Sequence, residues 1–122
     1  MRASASAPRP IAPADISWRD GHPYATAYDD TYYSEHYDPL GIDEVHRVFL
    51  QPAQLEKRAD QDTITIAELG FGTGLNFLVT ADWVQQLTSA RLNFISFEAH
   101  PLATVDWTRC AQLRGRVLNH AR

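Results

Sequence analysis

The chain has 122 residues, 44% hydrophobic and 21% charged, with 6 Gly, 7 Pro and a formal net charge of −4. That is enough for one small core, too short for two comfortable domains, and too apolar at this charge for a disordered chain. The one cysteine, Cys110, excludes a disulfide scaffold and a multi-cysteine zinc site, and fits a reducing compartment.

Residues 1–14 (MRASASAPRPIAPA) read as a flexible tail ahead of a domain over 15–122. The tail has Arg2 but no apolar stretch, so it is not a secretory signal. No run elsewhere approaches the roughly 18 apolar residues of a membrane span, and a cytoplasmic location away from membranes is expected. Between 15 and 37, Asp20-Gly21 signals a tight hairpin turn, and Trp18, Tyr24, Tyr28, Tyr32, Tyr33 and Tyr37 suggest a segment packed onto a neighbour. A helix is predicted next, with Asp38 as its cap, Pro39 at its first position, and Ile42, Val45, Val48 and Phe49 forming an apolar stripe. Pro52 should end or kink it, with another turn or two over Ala53–Arg58. Thr63–Ala67 reads as a buried strand, Leu75–Leu87 as a helix and Leu92–Phe97 as a second strand. Pro101 should open a second helix that reaches about Leu113 and stops at Gly115. Strand, helix, strand, helix implies an α/β fold with parallel pairing.

The charge is uneven. Residues 15–44 hold eight acids against Arg19 alone, while 107–122 contain Arg109, Arg114, Arg116 and Arg122 with no acid. This modest basic end reads as a solvated helix terminus rather than an RNA-facing patch. The five histidines lack metal-ligand spacing, and no metal is expected.

The chemistry lies in Ala67-Glu68-Leu69-Gly70-Phe71-Gly72-Thr73-Gly74-Leu75-Asn76, a strand ending in an acid and a G-x-G-x-G turn running into a helix. Glycines suit a bend whose angles a Cβ would block and whose backbone a ligand must approach. A turn at the carboxyl end of a first parallel strand is where doubly wound folds bind ligands. The dinucleotide fingerprint G-x-G-x-x-G would place its third glycine at 75, which is Leu. The spacing present is instead that of class I S-adenosylmethionine methyltransferases. An acid at the strand end suits the donor's cationic groups, and free backbone N–H groups suit its carboxylate. Glu98, closing the second strand, can accept both hydroxyls of a ribose, a role common to nicotinamide and S-adenosylmethionine sites. An NAD-dependent oxidoreductase is the competing enzyme reading.

Four segments carry a more specific likeness: DGHPYATAYDDTYYS (Asp20–Ser34), GIDEVHRVFLQPAQLEKR (Gly41–Arg58), AELGFGTGLNFL (Ala67–Leu78) and FISFEAHPL (Phe94–Leu102). In that order they resemble the start of the methyltransferase domain of the tRNA 5-methylaminomethyl-2-thiouridine biosynthesis bifunctional protein family. The resemblance implies a Rossmann-like class I methyltransferase fold and methylation of the aminomethyl group on the wobble uridine of tRNA. It implies S-adenosylmethionine as donor, with FAD confined to an oxidase domain, fused or separate, that makes the amine. Carried over by position, Glu68, Gly70, Gly72, Gly74 and Asn76 line the donor's methionine end, Glu98 holds its ribose, and Phe71 and Thr73 complete the cofactor-binding set. Asp29, Asp30, Tyr32 and Tyr33 resemble a stretch that covers cofactor or substrate. Against that family the chain is expected to hold only the first half of the fold: two strand–helix units, a hairpin and a helix. The acid nearest the substrate amine belongs to later strands, so no catalytic residue is assigned within 1–122. The chain alone is expected to be inactive, and a non-catalytic remnant binding cofactor or partner is the alternative.

Overall fold

The computed structural model describes residues 7–33 and 41–120, with 116–120 by their backbone alone. It is an α/β structure with two small sheets. Strands β1 (Ile16–Arg19) and β2 (His22–Ala25) form an antiparallel hairpin, pairing Ile16 with Ala25 and Arg19 with His22. Its turn is Asp20-Gly21, with φ of 49° and 82°, the left-handed pair that a two-residue turn between twisted strands requires. A two-residue strand, β3 (Asp30–Thr31), adds to β2 after a 3₁₀ turn at Thr26–Tyr28. It is too short for the sequence to announce.

Helix α1 (Ile42–Val45) follows Gly41, and the expected cap at Asp38-Pro39 lies outside the described residues. The backbone then widens into a π turn over His46–Leu50, where the Gln51 amide donates to the His46 carbonyl at 2.9 Å. Pro52 explains this: its ring crowds the carbonyl four residues back and it offers no N–H, so the preceding turn expands. A 3₁₀ turn, Leu55–Arg58, takes the place of the predicted continuation.

Strands β4 (Thr63–Leu69) and β5 (Arg91–Phe97) pair in parallel, Thr63 opposite Arg91 through Leu69 opposite Phe97, joined by helix α2 (Leu75–Leu87). Both strands run slightly longer than predicted; the helix matches. One face of this sheet carries Ile64, Ile66 and Leu92 into a core with Val45, Leu50, Leu55, Val79 and Val84. The other face is uncovered: Leu69 is 89% exposed, Phe97 63% and Ile95 49%.

Helix α3 (Thr104–His120) departs from expectation at both ends. Pro101 does not open it, because the Pro101 carbonyl accepts from the Ala14 amide at 2.8 Å; the first helical bonds go instead to the Ala103 carbonyl. Gly115 does not stop it, since a mid-helix glycine weakens a helix by only about 1 kcal/mol. From α3, Asp106 Oδ1 accepts from the Trp18 indole at 3.0 Å and Arg109 lies over the Trp18 ring at 3.7 Å, tying α3 to the hairpin. Among the described residues no helix is long and apolar enough to cross a membrane.

Candidate functional site

The bend between β4 and α2 has the backbone its glycines foretell. Gly70, Gly72 and Gly74 all have positive φ, at 88°, 53° and 74°. Gly74 is the most constrained: a Cβ there would lie 2.7 Å from Trp107 Nε1 and 3.0 Å from Phe71. Phe71 stacks on Trp107 with ring centroids 6.4 Å apart, so the turn is packed against α3 from one side.

The two acids sit at adjacent strand ends, each held by named donors. Glu68 accepts from Asn76 Nδ2 at 3.1 Å on one carboxylate oxygen and from Ser96 Oγ at 2.9 Å on the other. Ser96 is opposite Glu68 in the parallel register, which explains its reach. Glu98 accepts from the Gly72 amide at 2.8 Å and from the His100 amide at 2.9 Å. It therefore ties the glycine turn to the loop after β5. Each carboxylate oxygen keeps a second lone pair for an incoming hydroxyl.

One expectation needs correction. The glycine amides are not free for a ligand carboxylate: Gly70 donates to the Phe97 carbonyl at 2.7 Å, Gly72 to Glu98, and Gly74 to the Phe71 carbonyl at 2.9 Å. A parallel sheet and a tight turn consume their own donors before any ligand arrives. The unsatisfied amides lie one step later, in the first turn of α2, where a helix has no internal acceptors for them.

The segment 29–33 divides. Tyr32 lies against the turn, its Cδ1 3.6 Å from where a Gly72 Cβ would be, and burial followed by the nearby Glu98 charge pushes its phenol up from the ordinary value. Tyr33 is buried, with its hydroxyl 3.1 Å from His22 Nδ1. Asp29 and Asp30 are exposed and occupied locally: Asp29 accepts from the Tyr24 hydroxyl at 2.6 Å and Asp30 from the Thr31 amide at 2.8 Å. Tyr32 is also the common wall of two cavities. One, of about 210 Å³, is bordered by Gly70, Gly72, Asn76 and Tyr33. The other, of about 320 Å³, is bordered by Glu98, His100, Tyr28 and Asp15.

Sequence reasoning missed Arg114. It is 1% exposed, its Nη1 donates to the Thr73 carbonyl at 3.0 Å, and its Cζ lies 5.0 Å from the Tyr33 ring centroid. Burial pulls its pKa below the usual arginine value. The sequence shows it as one of four arginines on a basic end, with nothing to mark it as interior. Cys110 is buried and free, as a small apolar helix residue should be.

No protein-family model matches the chain. Curated proteins do. Over 111 residues it is 41% identical to the tRNA 5-methylaminomethyl-2-thiouridine biosynthesis bifunctional protein MnmC of Legionella pneumophila strain Corby, covering 84% of this chain and 16% of that protein. The protein of the same name from Methylobacillus flagellatus is 39% identical over 109 residues, covering 85% of this chain and 16% of the relative. That from Saccharophagus degradans is 46% identical over 93 residues, 71% of this chain and 13% of the relative. The chain thus spans about a sixth of the length of such relatives. Along most of its length the chain is a homologue of part of the tRNA 5-methylaminomethyl-2-thiouridine biosynthesis bifunctional proteins MnmC.

Proposed function

We propose that the chain is the donor-binding part of an S-adenosylmethionine-dependent methyltransferase that acts on the aminomethyl group of a wobble 2-thiouridine in tRNA. The relatives' name describes biosynthesis of a methylaminomethyl thiouridine in tRNA, a product with a methylated amine. The observation that carries the reading is Glu98 bridging the glycine turn and the loop after β5, between two cavities that share Tyr32.

In this reading Glu98 accepts the ribose hydroxyls on its remaining lone pairs. Glu68, fixed by Asn76 and Ser96, faces the cationic amino end. Gly70, Gly72 and Gly74 let the ligand approach a backbone without side chains, and Phe71 and Thr73 shape the bend between them. When bound, the donor supplies a methyl group already activated by its sulfonium, so alignment of the amine is the protein's main contribution. Asp29 and Asp30, tied to the hairpin, serve the cover only through Tyr32 and Tyr33. A FAD-dependent oxidase, fused or separate, would supply the amine, and the setting would be the cytoplasm. No described side chain is assigned as the base that takes the amine's proton, so binding rather than turnover tests this chain.

The oxidoreductase reading fares less well. The dinucleotide fingerprint needs its third glycine at position 75, so that a pyrophosphate can come close to the helix start, and Leu75 stands there. Titration calorimetry with S-adenosylhomocysteine and with NAD separates the two. The methyltransferase reading expects S-adenosylhomocysteine to bind and NAD to bind at least tenfold more weakly, about 1.4 kcal/mol. It also expects Gly72→Val to weaken binding sharply, because a β-branched residue is strained at the φ of 53° found there. Preference for NAD would overturn it.

A further inference from the structure

Arg114 buries a positive charge whose hydrogen bonding is incomplete. Its Nη1 holds the Thr73 carbonyl, while Nε and Nη2 are buried without a hydrogen-bond partner among the described residues. Guanidinium does not lose its proton in proteins; Tyr33 lies beside it with its ring and hydroxyl but carries no full negative charge, and a buried cation gains from an anion that comes near. Thr73 immediately precedes Gly74, the residue at the N-terminal cap of α2. The first-turn amides of this 13-residue helix face the same end with the positive pole of the helix dipole. Through protein interior rather than water, the charge of Arg114 is weakly screened at that end. Two sources of positive potential, the buried Arg114 of α3 and the start of α2, therefore bear on the bend, where the glycine amides themselves are unavailable.

We propose that Arg114 is a positioning residue that makes this bend a carboxylate site: it holds Thr73 at the start of α2 and biases that end toward the carboxylate of the donor's amino-acid portion. This rests on the donor reading above and adds what that reading lacks, a source for anion selectivity. Arg114 acts through the turn, and no direct contact with the ligand is required of it.

The test compares two ligands on the 122-residue chain by titration calorimetry. S-adenosylhomocysteine has the amino-acid portion; 5′-methylthioadenosine keeps the thionucleoside and lacks it. Arg114→Met, and Arg114→Gln, which retains a donor for Thr73 without the charge, are expected to weaken S-adenosylhomocysteine about tenfold or more, or about 1.4 kcal/mol. Methylthioadenosine should weaken less than about twofold, and Arg114→Lys should recover most of the loss by restoring the charge. In the wild type, converting the S-adenosylhomocysteine carboxylate to its methyl ester should cost a similar factor, a measurement that needs no variant to fold. Equal loss of both ligands would mark Arg114 as merely structural and overturn the proposal, as would an ester that binds like the acid. If the wild type binds neither nucleoside, the donor reading itself falls and takes this inference with it. If it binds both and Arg114 variants do not separate them, the Arg114 assignment alone falls.

Discussion

Two glycines of the same turn, both with positive φ, make opposite demands on a side chain. At Gly70 a Cβ would meet nothing within 4 Å; at Gly74 it would press on Trp107 and Phe71. Gly70→Ala is therefore expected to cost only the left-handed backbone penalty, about 1–2 kcal/mol. Gly74→Ala adds overpacking and should cost about 2–4 kcal/mol. Urea unfolding followed by tryptophan fluorescence checks the difference; equal costs would mean that α3 does not pack on the turn. The glycines and both acids were legible in the sequence because their requirement is local: a bend needs φ that only glycine adopts freely, and a strand end fixes where an acid sits. Arg114 was not legible, because its partner Thr73 is 41 residues away and nothing local distinguishes it from the exposed Arg109 one turn before. Nor was the fate of the glycine amides, since the Phe97 carbonyl and Glu98 reach them across the sheet.

At the scale of elements, strong local patterns were readable and competing partners were not. Leu75–Leu87 lies between a glycine turn and Thr88, with unbroken helical composition, and emerged with the predicted bounds. The start of α3 shifted because the Ala14 amide captures the Pro101 carbonyl, a contact between segments 87 positions apart. The π turn before Pro52 follows from a clash that the sequence announces as a break without saying how the chain resolves it. What fixes α3 is also tertiary: Asp106 in its first turn accepts from Trp18 of β1. Asp106→Ala should lose that bond and a favourable charge at the helix start, lowering stability by about 1–2 kcal/mol. Thermal unfolding by circular dichroism gives the shift. An unchanged midpoint would show that the hairpin and α3 are not coupled through this pair.

Across the whole molecule, the parallel pair β4–β5 is packed on one face and bare on the other. The sequence reads Thr63–Ala67 as a buried strand, but only alternate residues of β4 are covered, because which face finds a cover depends on elements far away in sequence. Here the inner face meets α1, the π turn and α2, while Leu69, Ile95 and Phe97 remain outside. Apolar surface of this kind beside a strand with one neighbour favours association. Sedimentation velocity of the chain should show concentration-dependent association, reduced by the double change Ile95→Thr and Phe97→Thr. Monomeric behaviour of the unaltered chain at high concentration would contradict this.

In the proposed reading one ligand lies across the glycine turn and the acid after β5. Amide NMR of the isotope-labelled chain, titrated with S-adenosylhomocysteine, tests it residue by residue. The largest shifts are expected at Gly70–Asn76, at Glu98 to His100 and at Tyr32, around the two cavities that Tyr32 divides. Saturation that leaves these amides unmoved, or that shifts instead the separate groove between His46, Lys57 and Trp83, would contradict it.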